Sequence, residues 1–305
     1  MMRELTQNGA KKRLHRDWNL FFLVLPLMVL VVLFSYVPLA GWLLSLIEYK
    51  PGYPLWENEF VGLKYYEMVF TNPDILRAFK NTLIFSAMNF CLLPFPMIFA
   101  ILLNEITSAK FRKVAQTVTT LPHFISWVIV YSLAFAVFSR EGMLNQILEV
   151  LGLRGQSVLT DRNAVYWFQT AVSQWKSLGW SAIIYIASIA GIDGELYEAA
   201  AIDGASRFQM SLHVTVLGLM QTFVVLMLLG ISGFVNSGMD QYYVFKNSIV
   251  YRNIEVLDLY TYRMGLQVGD YSYATTVGIL KSFVNILLLF SANGIARKVR
   301  GASII

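Results

Sequence analysis

Six apolar stretches recur along the chain, near Phe21 to Leu46, Phe79 to Leu103, Val114 to Phe138, Val165 to Ala190, Val214 to Val235 and Ala274 to Ala292. A helix rises 1.5 Å per residue and the hydrocarbon core takes about 20 residues, so each stretch is long enough to cross a bilayer. The pattern predicts an all-α integral membrane protein with six transmembrane helices. The first stretch is too long for a signal-peptide core and lacks a small-residue cleavage site, so it reads as a retained anchor. Pro26, Pro38, Pro94, Pro96 and Pro122 need not break their spans, because neighbouring helices satisfy the freed backbone groups.

Composition agrees. Of 305 residues, 56% are hydrophobic and 14% charged, well below the roughly 25% charged of soluble domains. The net charge of +5 is spread in a way that fits a membrane rather than nucleic acid. With the amino terminus inside, the inner segments hold twelve cations, among them Lys11, Lys12, Arg13, Arg16, Lys110, Arg112, Lys113 and Arg207, against seven acids. The opposite loops hold more acids than cations. The positive-inside rule then places both termini and the 191–213 loop in the cytoplasm. The basic amino-terminal cluster reads as topology and anionic-lipid contact. The outer loops carry many aromatics, Tyr242, Tyr243, Phe245, Tyr251, Tyr260, Tyr262, Tyr271 and Tyr273, which suit an interfacial belt or a partner-docking face equally.

Candidate chemistry is sparse. A lone cysteine, Cys91, excludes an internal disulfide framework, and histidines at 15, 123 and 213 have no metal spacing. No glycine loop followed by Lys-Ser/Thr is present to cradle ATP. No Asp or Glu falls inside a span, against an ion-coupled secondary transporter, and no nucleophile with a base or metal cluster points to an intramembrane enzyme.

The 191–213 loop is legible residue by residue. Asp193 is a good N-cap, Glu195 lies in the first turn where the helix dipole favours an anion, and Gly204 can adopt the left-handed conformation that stops a helix. Alanines 199, 200 and 201 give a flat, stiff surface. A short helix, a sharp turn and a second helix feeding the fifth span follow.

The spacing Glu198-Ala199-Ala200, three residues, Gly204 resembles the coupling loop of binding-protein-dependent ABC importer permeases. The segments WKSLGWSAIIYIASIAGIDGELYEAAAIDGAS, LPHFISWVIV, VGLKYYEMVFTNPD and YSYATTVGILKSFVNILLLFSANGIARKV are similar to the carbohydrate-uptake branch, which handles complex oligosaccharides and polysaccharides, and within it to alginate-importer permeases. The resemblance implies the permease fold of the maltose/methionine type, with 1–18 as a cytoplasmic segment, 19–305 as the transmembrane domain and the first span packed on a partner permease. It also implies a subunit without catalysis or cofactor of its own in the bacterial inner membrane. Its partners would be a second related permease, two ATPase subunits using ATP and Mg, an external solute-binding protein, lipid and an oligosaccharide, here an acidic one. Leu196, Tyr197, Glu198, Ala199, Ala200, Ile202, Asp203 and Gly204 would contact the ATPase. Two departures stand out. Val214-Thr215-Val216-Leu217 replaces the family's Ile-x-Leu-Pro, and Gly194 stands where proline is common after the capping aspartate.

Polar residues inside spans mark a candidate substrate path: Asn89, Gln174, Trp175, Lys176, Lys281 and Asn285, with Trp180 as a further stacking face. Lysine at the bilayer centre costs about 2.5 to 3.5 kcal/mol on insertion scales, so Lys176 and Lys281 need water, substrate, carbonyls or an acid nearby.

Overall fold

In the computed structural model of the protein, the described residues are Trp18, 21–153 and 155–300, the last six by backbone alone. The expected amino-terminal segment therefore lies, apart from Trp18, outside the described residues. Helix α1 (Phe21–Leu46) is apolar and its hydrophobic window has no buried residue within the chain. It changes to a π-turn over Val32–Tyr36 and to 3-10 geometry over Val37–Leu46, where Pro38 has no N–H to donate to an α-helical bond. Ser45 is buried near the end, its hydroxyl donating to the Trp42 carbonyl at 2.7 Å and lying 3.1 Å from the Tyr66 hydroxyl.

Helix α2 (Lys64–Thr71) leads into α3 (Pro73–Cys91), capped by Asn72, whose side chain accepts from the Asp74 N–H at 2.9 Å. Pro94 and Pro96 then open α4 (Pro94–Asn104), and the expected second span continues through the turn at Leu92 and Leu93 as one apolar stretch, Pro73–Asn104. The expected third span is broken. It consists of α5 (Ala109–Thr120), a 3-10 turn over Leu121–Phe124 imposed by Pro122, and α6 (Trp127–Phe138), followed by α7 (Met143–Val150). Helix α8 (Val165–Ile189) runs antiparallel to these pieces. Phe138 meets Phe168 edge-to-face at 5.2 Å, Lys176 reaches the Pro122 and His123 carbonyls, and Gly179 meets Thr119. A Cβ on Gly179 would lie 2.2 Å from the Thr119 carbonyl oxygen. Only glycine lets these two backbones approach so closely.

A bend of 74° separates α8 from α9 (Gly194–Ile202). The fifth span comprises α10 (Arg207–Met210), a π-turn over Ser211–Thr215 and α11 (Val216–Ser232). Small helices α12 (Asp240–Phe245), α13 (Tyr251–Ile254) and α14 (Leu257–Tyr262) precede the closing helix α15 (Tyr271–Arg300). Among the described residues five helical segments are long and apolar enough to cross a membrane, and the α8–α9 pair makes a sixth. In the core between α4, α8 and α11, Ala100, Ala182 and Leu219 are fully buried beside Tyr185 and Met97.

The three long loops join on the face opposite α9. Ile47 bridges Phe60, the Ser272 hydroxyl donates to the Ile47 carbonyl at 2.7 Å, and Asn247 donates to the Leu159 carbonyl at 2.9 Å. This joined layer corrects both readings for four of the eight aromatics, while Tyr243 stays exposed. Tyr242, Phe245, Tyr260 and Tyr273 are 1 to 3% exposed, packed with Phe85, Phe168 and Ile75. They form the core of a folded cap, because irregular backbone near a membrane must bury its apolar side chains and satisfy its polar groups within the protein. Glu255, fully buried, anchors the cap by accepting from Arg263 Nε at 2.8 Å, Arg77 Nη2 at 3.3 Å and the Tyr251 hydroxyl. Burial, reinforced by the bond to Glu255, pushes the Tyr251 hydroxyl well above its ordinary pKa, so it remains a donor.

Candidate functional site

Helix α9 is closed at both ends. The Asp193 carboxylate accepts from the Glu195 N–H at 3.0 Å, which offsets the loosening expected from Gly194. At the other end Gly204 takes φ +80°, its N–H donates to the Ala201 carbonyl at 3.1 Å, and Ala205 donates to Ala200 at 2.9 Å. This pair of bonds is a Schellman stop. Ser206 then opens α10 with a capping box, trading bonds with Gln209 at 2.8 and 3.3 Å.

The base of the loop is fastened to the bundle. Tyr197 Oη lies 2.9 Å from Thr215 Oγ1, Ser211 donates to Glu105 at 2.8 Å, and Arg207 Nε sits 3.6 Å from Glu105. A π-turn over Ser211–Thr215 forms the entry to the fifth span, just before Leu217, which stands where the resembling family has a proline. What remains outward is a firm surface: Glu198, Ala199, Asp203 and Gly204 are exposed, with Leu196 at 54% and Ile202 at 86%. Ala200 and Tyr197 are half-buried. Leu196 and Ile202 thus present apolar side chains on the outer side of a capped, anchored helix.

Within the membrane bundle lies a cavity of about 500 Å³ between α3, α4, α8 and the stretch after α11. Its polar lining includes Ser86, Asn89, Gln174, Ser177, Asn236 and Ser237, with Phe90, Trp180 and Tyr185 as aromatic walls. Gln174 donates to Asn89 Oδ1 at 3.2 Å, and the Ser237 hydroxyl is shielded and makes no hydrogen bond among the described residues. Aligned hydroxyl and amide groups beside aromatic faces suit a polyhydroxylated ligand.

Of the expected path residues, Asn89 and Gln174 line this cavity, as does Trp180. Trp175 is 48% exposed and is not among its lining residues. Lys176 sits behind the wall. Its Nζ donates to the His123 carbonyl at 2.6 Å and the Pro122 carbonyl at 3.2 Å and lies 5.3 Å from the Trp127 ring centroid. The His123 ring stacks on Trp180 at 4.6 Å. Lys281 pairs with Asp258, and Asn285 donates to Asn236 at 3.2 Å. Sequence reasoning missed Ser86, Ser177, Asn236 and Ser237. Their signal was positional: Gln174, Ser177 and Ser181 recur at helical spacing on one side of α8.

Comparison with known proteins decides the family. Residues 92–301 match the family described as binding-protein-dependent transport system inner membrane component. The chain belongs to that family. It is a membrane permease subunit of an ABC importer. Protein LplB of Bacillus subtilis (strain 168) is 38% identical to the permease over 93% of this chain and 90% of its own. The polygalacturonan/rhamnogalacturonan transport system permease protein YteP of the same organism is 36% identical over 92% and 88%. The permease superposes on a chain of a bacterial alginate ABC transporter, crystallised in complex with alginate pentasaccharide-bound periplasmic protein, with TM-score 0.87 and 30% identity, covering 96% of this chain and 99% of that one.

Proposed function

We propose that the permease forms, with a second related permease, the inner-membrane path for uronate-containing oligosaccharides handed over by an external binding protein. Two ATPase subunits hydrolyse ATP with Mg and grip α9 from the cytoplasm, where both termini also lie. The observation that carries this reading is α9 itself, an exposed helix fixed at both caps and continuous, through one bend, with the α8 face that walls the polar cavity. ATPase closure against Leu196, Glu198 and Ile202 would move α8 directly.

The acidic character of the sugar draws on the relatives named for polygalacturonan and alginate, both uronate polymers. A second reading, neutral oligosaccharides, is favoured by one feature: the cavity lining contains no charged side chain. Lys176 and Lys281 both have partners elsewhere in the chain. In this account carboxylates are selected by the binding protein, and the permease reads hydroxyl groups and ring faces.

Orientation is tested by thiol labelling in spheroplasts of a Cys91→Ser strain. Glu57→Cys and Lys246→Cys should react with a membrane-impermeant reagent, while Lys110→Cys and Ser206→Cys should not. The reverse pattern would remove α9 from the ATPase side. Copurification of the intact complex with its binding protein, followed by ligand screening, is expected to return uronate oligomers ahead of neutral ones of equal length. A preference for neutral ones would establish the second reading.

A further inference from the structure

The stretch from Gly233 to Gly238, between α11 and α12, is non-helical and supplies Gly233, Phe234, Asn236 and Ser237 to the cavity wall. It is a strap with a glycine at each end, and Gly238 takes φ +71°. Its own residues carry no charge. Side chains from other elements hold it. Ser86 donates to the Phe234 carbonyl, Asn285 Oδ1 accepts from the Val235 N–H at 3.3 Å, and Asp258 Oδ2 accepts from the Gly238 N–H at 3.0 Å.

Asp258 is in turn paired through its other oxygen with Lys281, four residues before Asn285 on α15. The two side chains are only 17% and 21% exposed. An apolar pair of similar volume would join α14 to α15 as well as this ion pair does. It could not present a carboxylate oxygen to the strap. Neutralising Lys281 leaves the Asp258 charge without its cation and free to turn toward water, away from Gly238. Lys281 and Asn285 lie one helical turn apart, so one side of α15 sets the middle of the strap directly and its Gly238 end through Asp258.

We propose that Lys281, acting through Asp258, is a positioning residue that holds the 233–238 strap in place as a wall of the cavity. It touches the wall's support rather than the ligand. This inference rests on reading the cavity as the transport path, but the geometry can be tested without any substrate.

Ser237→Cys in the Cys91→Ser background places a nearly isosteric thiol where the serine hydroxyl is now shielded. In the assembled complex it is expected to react slowly with a small charged thiol reagent. Lys281→Met and Asp258→Leu should each accelerate the reaction about tenfold, Lys281→Arg should leave it slow, and the exchanged pair Lys281→Asp with Asp258→Lys should stay as fast as the single variants, because a lysine at 258 has no oxygen to accept from the Gly238 N–H. An unchanged rate in Lys281→Met, or an exchanged pair as slow as wild type, would overturn the proposal. If Lys281→Met does not assemble, Asp258→Leu is judged by the same tenfold criterion. In uptake assays the loosened strap should raise the half-saturating substrate concentration at least threefold, with a smaller change in maximal rate. Absence of uptake by the wild-type complex would sink the path reading and leave the labelling result to decide the strap.

Discussion

Gly204→Val is expected to reduce substrate-stimulated ATP hydrolysis by the reconstituted complex at least tenfold while the chain still inserts and assembles. The position has φ +80°, and no atom lies near a Cβ built there, so the effect comes from backbone strain alone. A left-handed conformation costs an L-residue about 1 to 2 kcal/mol, and a β-branched residue tolerates it least. The strain is relieved by opening the two bonds from Gly204 and Ala205 that stop α9, which tilts its gripping face. Asparagine visits the left-handed region more readily, so Gly204→Asn should keep stimulation within about threefold of wild type. Glu198→Lys reverses a charge on the exposed face and should behave like Gly204→Val without disturbing the turn. ATPase activity in proteoliposomes with loaded binding protein is the measurement, and full stimulation in both Gly204→Val and Glu198→Lys would remove α9 from coupling.

The second large effect is expected at Gln174. Its amide donates to Asn89 and faces the cavity, so Gln174→Leu removes a group offered to the ligand and also leaves the Asn89 oxygen unpaired. Each hydrogen bond lost, to the ligand and to Asn89, costs about 0.5 to 1.5 kcal/mol. Since 1.4 kcal/mol is a factor of ten, uptake should fall roughly tenfold or more at limiting substrate. Trp175→Leu, on the next residue of the same helix but away from the lining, should change uptake by less than about twofold. Initial uptake rates against substrate concentration check both; equal losses would show that the path does not run along this side of α8.

This contrast shows where the sequence was informative. Asp193 and Gly204 were legible because caps are local: each depends on bonds within about five residues, and both formed as read. The spans were legible from apolar length, but their breaks were less so. Pro122 splits the third span into α5 and α6, and the carbonyls this turn frees are met by Lys176, more than fifty residues away. The cavity was half legible. Polar residues in a span are visible, but Gln174 and Trp175 point about 100° apart, and only packing selects one of them. Serines 86, 177 and 237 carry no local signal, because a small hydroxyl serves a helix contact as readily as a cavity wall. Asp258 was hidden for another reason: it belongs to a loop by composition, yet the cap folds inward and delivers it to Lys281 on α15. The loop aromatics followed the same rule, since nothing local distinguishes a belt from the core of a cap.

The central claim is that this chain helps to form an ATP-driven path for uronate oligosaccharides and is driven through α9. Its most direct test is uptake of a labelled uronate oligosaccharide into proteoliposomes that contain the permease, its partner permease and both ATPase subunits, with binding protein outside and ATP inside. The account predicts accumulation that requires ATP and binding protein together and is lost in Gly204→Val while the complex remains assembled. Accumulation without ATP, or undiminished accumulation in the assembled Gly204→Val complex, would contradict it.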